Sequence, residues 1–564
     1  MTNTEENILE ISDLLKKCEK IDGQGYGSAR NLLGVYQYDE KIIIIIDYVP
    51  KDPFSPIPGK VRIRIPLEKT KYPRELFNGV YGNLAAKHFF TEYCYRSIRY
   101  EGRPWLWMEP PGQAVLERNS VGIMNGYIEL RLDFIPPFKS RRKLSGGRLK
   151  RLFSSTIPRV VNNLIATNKK REFFESIKKT LEDQEFLRKK LREEGFIAFI
   201  ANGSILPRRG DTDFPLPGAT PFKAPERYTY EFTVPNHGVL EGLAIEKGRI
   251  VVFAGANFHG KTTILEALRV AHYNHVPGDG REFVISVDEL PLIPVENRRI
   301  VRGVDISIFM RSLPGIGDTK NFTTNSASGS TSQAATLVEA LECGVPGFLI
   351  DEDSSAVNFL LKDKVLKELV PKDLEPITPL IERLPILMKN YNITPIFAVG
   401  ALGQIVNEAD VIFLVSNFNV SDVIKRNSAN QRVSVNESIR IKKRIPATNT
   451  IPNGRVREVN YDEITITWLG KRVKIDLRGL GIRKALKEKA QVRALAYAVT
   501  YASRYADGKI SLSEIVDKVL SDIKQYGIDI INPLREEVHI NLAMFTKYQL
   551  FYVLSRLPTL RIKD

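Results

Sequence analysis

The chain has 564 residues, 43% of them hydrophobic, which is enough for three or four domains with apolar cores. Lysine and arginine number 82 and aspartate and glutamate 66, so the net charge is +16; this favours a polyanionic partner, nucleic acid before a membrane surface, with a generally charged, thermostable surface as the alternative. The three cysteines, Cys18, Cys94 and Cys343, are isolated from one another, which excludes a zinc framework and a disulfide scaffold and fits a reducing cytoplasm.

The N-terminal part of the chain, residues 1–200, predicts an α+β domain. Residues 1–10 carry three glutamates and no apolar core, so we expect no signal peptide. The longest apolar run, residues 42–46, is far too short to span a bilayer. Strand patterns occur at residues 34–38, 41–49, 60–65, 114–118, 127–132 and 196–200. Helical patterns occur at residues 8–18, 84–95 and 157–194.

A basic segment, residues 139–151, lies within this domain and carries seven lysines and arginines and no acid. Cations without acidic neighbours attract phosphate groups, and binding of this kind is strongly salt-dependent. We therefore predict that Arg141, Arg142 and Lys143 contact nucleic acid.

A phosphate-binding loop, residues 255–263, fits the pattern G-x-x-x-x-G-K-[ST] with no mismatch. A strand pattern at 249–253 precedes it and a helical pattern at 264–273 follows it, which is the context that the motif requires. Backbone N–H groups of such a loop close around phosphates, and the helix N-terminus adds positive potential. Lys261 is predicted to reach the β- and γ-phosphates of ATP, and the Thr262 hydroxyl to ligate Mg²⁺. The predicted ATP-binding residues are Gly255, Ala256, Asn257, Phe258, His259, Gly260, Lys261, Thr262 and Thr263.

A buried strand pattern at residues 347–350 ends in two carboxylates, Asp351 and Glu352. This is the pattern of a Walker B strand. Asp351 is predicted to hold the Mg²⁺ shell, and Glu352 to polarise the attacking water or act as its base. Lys261 and Glu352 are thus the predicted catalytic residues.

The C-terminal part is basic, with lysine and arginine concentrated in residues 425–483. Residues 464–468 and 472–476 predict a hairpin, and helical patterns follow at 482–505, 511–526 and 542–557. Lys442, Lys443 and Arg444 are the predicted nucleic-acid contacts. Two aromatic residues lie among these cations, Tyr461 and Trp468, and aromatic rings stack on unpaired bases. The mixture favours single strands or RNA, although Trp468 lies in an alternating strand pattern, which favours a core residue over a base-stacking one.

Three further motifs resemble those of ABC ATPases. Residues 327–341 are similar to the signature motif and its helix, and residues 351–358 to the Walker B motif with its D-loop. Asn257 with Lys261–Thr263 matches the ABC form of the phosphate loop. The resemblance implies that the start of the signature helix binds ATP held by another subunit, through Ser328, Gly329 and Ser330.

A narrower resemblance, to the family called "predicted ATPase of the ABC class", covers nearly the whole chain. It is carried by Asp47 with Asp52-Pro53-Phe54, Asn202-Gly203 with Leu206-Pro207-Arg208, and residues 273–282, 303–307 and 328–333. It implies a soluble single-chain α/β protein with a P-loop NTPase core of ABC type, flanked by an α+β N-terminal domain and a mixed, mainly helical C-terminal domain. It further implies a head-to-tail homodimer with two ATP molecules between the subunits and a role with RNA or other nucleic acid. We place the domains at residues 1–200, 201–422 and 423–564.

The chain departs from the usual ABC pattern at several positions. Phe258 and His259 replace small residues; His259 is either a packed or solvent-facing side chain or a contact to the γ-phosphate. No Q-loop glutamine is evident, and Asp305 is the candidate for its position and for the metal shell. The switch histidine is absent, since residues 400–403 read Gly-Ala-Leu-Gly. The candidates for an adenine-stacking residue are Tyr228, Tyr230 and Phe232.

A second signature-like string occurs far upstream, at Leu144-Ser145-Gly146-Gly147-Arg148. The signature of an ABC ATPase follows the phosphate loop, so this string is predicted to be a basic loop and not part of the nucleotide site.

These features together predict a cytoplasmic, Mg²⁺-dependent ATPase of the ABC class whose ATP-driven dimer closure clamps or remodels nucleic acid, RNA in preference. A nucleotide-gated scaffold that hardly hydrolyses is the second hypothesis, favoured by the missing switch histidine and opposed by Glu352. A transporter ATPase is the third, and the short stretch between Asp305 and Ser328 disfavours it.

Overall fold

The computed structural model describes residues 8–563 apart from 40, 56, 103, 140–141, 312–316, 363–368, 370–373, 424–438, 480 and 536–537. The chain forms two compact units. The first comprises Met1–Leu181, Glu488–Ala494 and Asp522–Met544. The second comprises Glu182–Lys487, Leu495–Ser521 and Phe545–Asp564.

The first unit is built on a mixed β-sheet. Its strands, in spatial order, are Ile8–Glu10, Gly34–Gln37, Ile43–Tyr48, Gly59–Pro66, Tyr127–Phe134 and Leu106–Trp107, with Val121–Met124 paired to Tyr127–Phe134. The first pair is parallel and the others are antiparallel. Alternate residues of Gly59–Pro66, among them Val61, Ile63 and Ile65, are buried, as the period of two in a strand requires.

Helices accompany this sheet. They are Ile11–Lys20, Leu67–Thr70, Gly79–Glu101, Gly146–Arg151 and Ile157–Asn162, the last two joined by the π-helical turn Leu152–Thr156. An aromatic cluster on Gly79–Glu101 fixes part of the packing: the Phe89 ring stacks on Phe174 with centroids 5.2 Å apart, and Tyr72 meets both rings edge-on. Such pairs stabilise a core beyond the area that they bury.

The second unit contains the phosphate loop on a five-stranded sheet. Its spatial order is Gly347–Asp351, Thr394–Val399, Val251–Ala254, Val411–Ser416 and Asn419–Asp422. The first four strands are parallel and the last is antiparallel. The side chains of its first three strands are almost all buried, which is the rule for parallel strands covered on both faces. The carboxyl ends of the strands therefore meet at one edge, and the functional motifs follow them there.

A four-stranded antiparallel sheet shares the core of this unit. Its order is Thr229–Val234, Gly238–Glu246, Phe196–Ala201 and Val284–Ser286. One contiguous hydrophobic cluster joins the two sheets through residues such as Phe199, Phe253 and Phe413. The helices around the two sheets are Lys261–Arg269, Gly329–Cys343, Val357–Leu360, Leu380–Tyr391 and Gly403–Glu408.

The remaining elements include a three-stranded antiparallel sheet of Arg455–Val459, Glu463–Trp468 and Lys471–Asp476. A two-stranded pair joins Val301–Val304 to Phe322–Thr324. The other helices are Asn168–Glu193, Lys489–Ala502, Leu512–Tyr526 and Lys547–Ser555, and the other short strands are Ala114–Val115 and Asn274–His275.

Two helix predictions were wrong in part. Residues 8–10 form a strand and not the first turn of a helix, because they pair with Gly34–Gln37. The single helix predicted over 157–194 is interrupted between Asn162 and Asn168. In this interruption the backbone groups bind partners outside a helix. The Ala166 N–H donates to Thr70 O, and Asn163 O accepts from the Lys170 ammonium.

Candidate nucleotide-binding site

The phosphate loop links Val251–Ala254 to the helix Lys261–Arg269. Gly260 precedes the helix with φ +104°, and a Cβ there would lie 2.6 Å from Phe418 Cδ1. Only glycine satisfies both the positive φ and this close approach. The loop geometry that the motif predicted is therefore enforced by a neighbour 158 positions later in the chain.

The Lys261 side chain is folded onto its own loop. Its ammonium donates to Gly255 O and Ala256 O, each at 2.7 Å, and the residue is 6% exposed. Two backbone carbonyls thus hold a buried cation at the place where the motif puts the β- and γ-phosphates. Phosphate oxygens would compete for the same ammonium.

Thr262 and Asp351 meet at the carboxyl end of the Walker B strand. The Thr262 hydroxyl donates to Asp351 Oδ2 at 2.7 Å. Burial raises the pKa of Asp351, and the bond from Thr262 partly offsets this rise. A divalent cation beside these two oxygens would favour the charged carboxylate, so the pair fits the hard oxygen ligands of Mg²⁺. When bound, Mg²⁺ would neutralise charge on the phosphates.

Glu352 is held by backbone and not by a side chain. Its Oε2 accepts the N–H groups of Gly400, Ala401 and Leu402 at 2.6, 3.0 and 3.4 Å. These residues directly follow the strand Thr394–Val399, where an ABC ATPase usually has its switch histidine and this chain has none. Within the described residues these three bonds all engage Oε2, and Oε1 would be the oxygen that accepts a proton from water. Backbone donors aimed at a carboxylate orient it without a further side chain.

The Glu352 carboxylate also lies close to the phosphate loop. A Cβ on Gly400 would lie 2.8 Å from Asn257 Oδ1 and 3.7 Å from the Lys261 ammonium. The amide that anchors Glu352 is therefore beside the residues predicted to bind the phosphates. The sequence did not predict the role of these three amides, because every residue type except proline has a backbone N–H group. The one local signal was the string Gly-Ala-Leu-Gly at the place of the switch histidine.

The signature segment begins a 15-residue helix, Gly329–Cys343, with Ser328 at its N-cap. Ser330 Oγ donates to Asn358 Oδ1 at 2.8 Å, and the Gln333 amide bonds Ser355 Oγ at 2.9 Å and Ala356 N at 2.9 Å. These bonds tie the helix to the segment after Walker B. Ser328 itself is exposed.

The two unusual loop residues have different surroundings. His259 Nδ1 accepts the Asn417 N–H at 2.7 Å, so the neutral ring carries its proton on Nε2. This places His259 in a packing role against the turn at 417–418 and leaves Nε2–H as a donor. Phe258 is fully exposed and has φ +68°.

Asp305 accepts from the backbone N–H and hydroxyl of Ser307, at 3.0 and 2.5 Å. Its carboxylate thus closes a local turn, and its predicted place in the metal shell stays a prediction. The candidates for adenine stacking lie in the four-stranded sheet region and are engaged there. Tyr228 meets Phe413 edge-on, while Tyr230 and Phe232 both meet Phe196.

The upstream signature-like string forms a short helix, Gly146–Arg151, in the first unit. The Gly146 N–H donates to Asp22 Oδ1 at 2.7 Å. The first amide of this helix therefore already binds a carboxylate of its own chain, in agreement with its interpretation as a non-nucleotide segment.

The predicted nucleic-acid contacts are not equivalent. Arg142 and Lys143 are exposed, but Arg142 pairs with Asp52 at 2.6 Å, and Arg141 lies outside the described residues. Lys442 and Lys443 are exposed.

Arg444 requires a correction. Its side chain is 1% exposed, and it bonds Glu342 at 2.7 Å and Ser555 at 2.8 Å. A buried, neutralised guanidinium cannot contact a phosphate backbone, so Arg444 does not belong to a binding surface. The sequence places it next to two exposed lysines, and nothing local distinguishes it from them.

Within the described ranges, no group of three or more His, Cys, Asp and Glu side chains is arranged to hold a metal ion. The same part of the chain has no helix that combines the length and apolarity needed to cross a bilayer. The three cysteines are free and buried, and burial raises the pKa of Cys94 to about 12.

Comparison with known proteins finds relatives of part of the chain. One curated relative is an uncharacterized protein, MJ1628, of Methanocaldococcus jannaschii, 35% identical over 199 residues, which are 34% of this chain and 44% of that protein. A putative metal-chelate type ABC transporter is 16% identical with a TM-score of 0.26, over 41% of this chain and 84% of the other. The cbiO1 protein of Clostridium perfringens is 13% identical with a TM-score of 0.25, and the match covers 40% of this chain and 87% of cbiO1.

Three family models match consecutive parts of the chain. The model of the ABC ATPase P-loop domain matches residues 170–450. The model of the N-terminal domain of ATPases of the ABC class matches residues 11–168, and that of the MRB1590 C-terminal domain matches residues 456–563. The resemblance inferred from the motifs is confirmed, and the chain is an ATPase of the ABC class with the N-terminal domain of that class and an MRB1590 C-terminal domain.

Proposed function

We propose that this ATPase uses Mg²⁺ and closes on ATP into a head-to-tail homodimer that clamps or remodels nucleic acid, RNA in preference. Thr262 and Asp351 would hold the Mg²⁺, Lys261 the β- and γ-phosphates, and Glu352 the attacking water. The anchoring of Glu352 by three amides favours hydrolysis over the nucleotide-gated scaffold. The amides belong to the segment that lacks the switch histidine, and they orient the carboxylate that would act as the base.

The proposal of a dimer rests on what surrounds the N-terminus of the signature helix. The hydrogen bonds of the Ser328 and Ser330 hydroxyls in the described structure go to Thr331 and Asn358, not to the phosphate loop at 255–263. The N-terminus of a 15-residue helix attracts anions, and Ser328 at its N-cap is exposed. A second subunit is the source that would bring a triphosphate to them.

The Phe258 side chain supports the same assembly. A bulky residue at φ +68° is conformationally strained, and a fully exposed aromatic ring gains nothing from its own fold. Strain of this kind is retained where a contact outside the subunit offsets it. The ring stands on the phosphate loop, at the surface that a partner would cover.

One face of the three-stranded C-terminal sheet supports the nucleic-acid role. Val456, Ile464 and Ile466 point to one side, and Thr467 lies on the other, paired with Arg455 and Arg472. The outer side carries the exposed cations Arg455, Arg472 and Lys474, with Glu463 paired to Lys474 at 3.0 Å. A sheet with a buried apolar face and exposed arginines on its outer face offers backbone contacts to a polyanion.

Glu352→Gln tests the proposal. ATP binding should be retained while turnover falls by about 10²- to 10⁴-fold, because the base is lost and the phosphate loop is intact. The variant should elute as a dimer with ATP and as a monomer without it, measured by size-exclusion chromatography with light scattering. Glu408→Gln, an exposed residue of Gly403–Glu408, is the matched control and should hydrolyse normally.

A Glu352→Gln protein that stays monomeric at saturating ATP would refute the dimer. Normal turnover by the same protein would remove Glu352 from the reaction.

A further inference from the structure

A polar pocket lies in the second unit, between the strand pair Val301–Val304 and Phe322–Thr324 and the segment 558–562. Its volume is about 440 Å³. We call it the arginine pocket, because two of the residues that line it are Arg302 and Arg561. It lies outside the phosphate loop, the Walker B strand and the signature helix, and no role has been given to it above.

One wall of the arginine pocket depends on a close approach at Gly303. This glycine has φ +61°, and a Cβ there would lie 2.7 Å from Ile562 Cβ. Only glycine lets the strand pair pack directly on the segment that carries Ile562. The Gly303 N–H donates to Thr323 Oγ1 at 2.9 Å, and the exposed Thr323 hydroxyl can donate its own proton to a ligand.

Arg302 supplies the pocket with a fixed positive charge. Its terminal N–H groups donate to the backbone oxygens of Val301, Thr324 and Pro558 and to Asn325 Oδ1, at 3.1, 2.9, 3.2 and 2.7 Å. These acceptors are all neutral, so they orient the guanidinium without cancelling its charge. Burial lowers the pKa of Arg302, and a bound anion would oppose this shift by favouring the charged form.

Arg561 supplies hydrogen-bond donors that a ligand can reach. Its side chain is exposed, and within the described ranges no carboxylate pairs with it. Its backbone is held in place, because Arg561 O accepts the Ala447 N–H at 2.8 Å and Pro446 bridges to Ile562. The exposed Lys442 and Lys443 precede this paired segment in the chain. A guanidinium that is fixed at its backbone and open at its tip is suited to a phosphate group.

The rest of the lining suits the remainder of a nucleotide. Leu560 is 1% exposed and Ile562 is half-buried, so they offer apolar surface to a base or a sugar. Thr323 and Asn325 offer hydroxyl and amide groups to the polar edges. The volume falls within the range of roughly 300–1,000 Å³ that is usual for small-ligand sites.

We propose that the arginine pocket binds one unpaired nucleotide unit, with its phosphate at Arg561 in the field of Arg302. The proposal rests on the nucleic-acid role proposed above and names a place where a single strand is held. A paired nucleotide cannot enter a pocket of this size with its partner attached, so the site would distinguish single strands from duplexes.

The test measures three ligands on the full-length protein: a short oligouridylate, an RNA duplex of the same length, and free UMP. Arg561→Gln should weaken binding of oligouridylate and of UMP by about tenfold, as expected for a lost charge-assisted hydrogen bond, and leave duplex affinity unchanged. Arg561→Lys keeps the charge and should retain most of the affinity. Arg171→Gln, at an exposed arginine of Asn168–Glu193, is the matched control and should bind all three as the wild type does. Fluorescence anisotropy would follow the oligonucleotides and calorimetry the UMP.

Unchanged oligouridylate affinity in Arg561→Gln would overturn the pocket and leave the nucleic-acid role standing. An equal loss for the duplex would also overturn it, because Arg561 would then be part of a general cationic surface. Arg561-dependent binding of UMP without any binding of oligonucleotides would keep the pocket as a site for a free nucleotide and refute the nucleic-acid role. A wild type that binds none of the three would refute both.

Discussion

At the scale of single residues, the position of Glu352 is decided by a residue that has no side chain. Gly400 donates its N–H to Glu352 Oε2 at 2.6 Å and lies against Asn257 of the phosphate loop. A Cβ at this place would meet Asn257 Oδ1 at 2.8 Å, closer than normal contact. The glycine thus lets one backbone segment reach the Glu352 carboxylate and the phosphate loop together.

Gly400→Ala should therefore lower kcat by about tenfold, equivalent to about 1.4 kcal/mol of transition-state stabilisation, while KM for ATP changes less. The added methyl group must displace Asn257 or shift the amide that anchors Glu352. Steady-state ATPase assays would measure both constants.

Gly403→Ala is the matched control, because no atom lies within 4 Å of a Cβ at that position and its N–H donates to Ala401 O. Equal kinetics of the two variants would show that the anchoring of Glu352 does not limit the reaction.

A second residue, Glu289, couples stability to pH. Burial raises its pKa to about 8, and its partner is the hydroxyl of Thr546. The folded protein then holds one more proton than the unfolded chain between about pH 4.5 and pH 8. Stability from this group is complete below that window and is lost as the pH rises through it.

Glu289→Gln removes this titration and keeps a similar shape. The denaturant midpoint of the wild type should fall between pH 6 and pH 8, and that of Glu289→Gln should fall less. The exposed Glu226→Gln should follow the wild type. Parallel curves for wild type and Glu289→Gln would mean that Glu289 is ionised in the folded protein.

At the scale of elements, two helices with similar first residues differ in what their N-termini can bind. Gly329–Cys343 has 15 residues and begins at an exposed Ser328. Gly146–Arg151 has six residues, and its first amide is bonded to Asp22. A longer helix whose N-cap residue is exposed attracts anions more strongly than a short helix whose first amide already binds a carboxylate, so Gly329–Cys343 fits the signature better than Gly146–Arg151.

Ser328→Arg should abolish ATP turnover, because it places a large cation at the start of the signature helix. Ser145→Ala should leave turnover unchanged. Turnover at saturating ATP, with unfolding midpoints to confirm that both proteins are folded, would separate them. Loss of turnover in Ser145→Ala would show that the wrong segment was assigned as the signature.

At the scale of the whole molecule, the charge of +16 is divided between paired and exposed cations. Arg444 bonds Glu342 and lies 3.4 Å from Glu339, all of them buried on or beside the signature helix. Lys442 and Lys443, its neighbours in sequence, are exposed. The net charge therefore overstates the number of cations that a polyanion can contact.

Lys442→Glu with Lys443→Glu should weaken binding to RNA and DNA alike and reduce the slope of log affinity against log salt by about 0.9 for each lost phosphate contact. ATP affinity should stay unchanged. Titrations at two salt concentrations would measure this, with Lys16→Glu and Lys189→Glu as a control of equal charge change at exposed positions. Unchanged affinity for every nucleic acid would remove these lysines from the binding surface.

Arg444→Ala should act differently from the lysine variants. It leaves Glu342 buried without its partner, which costs about 3–5 kcal/mol of folding stability. Denaturant unfolding would measure the loss. A variant as stable as wild type would show that the Arg444 pair contributes little.

The sequence alone determined the phosphate loop, the Walker B strand and the signature helix, because each is a contiguous string whose residue types and local periodicity carry its chemistry. Most strands were also predicted within a few residues, since alternation along a strand reports which face is buried. The family followed from the order of these motifs.

Only the tertiary structure decided what surrounds them. The amides of Gly400–Leu402 reach Glu352 across about fifty positions, and Phe418 covers Gly260 across more than 150. Arg444 is buried while its neighbours are not. Contacts of this kind depend on where the chain returns in space, and backbone donors and packing partners have no pattern in the residues next to them.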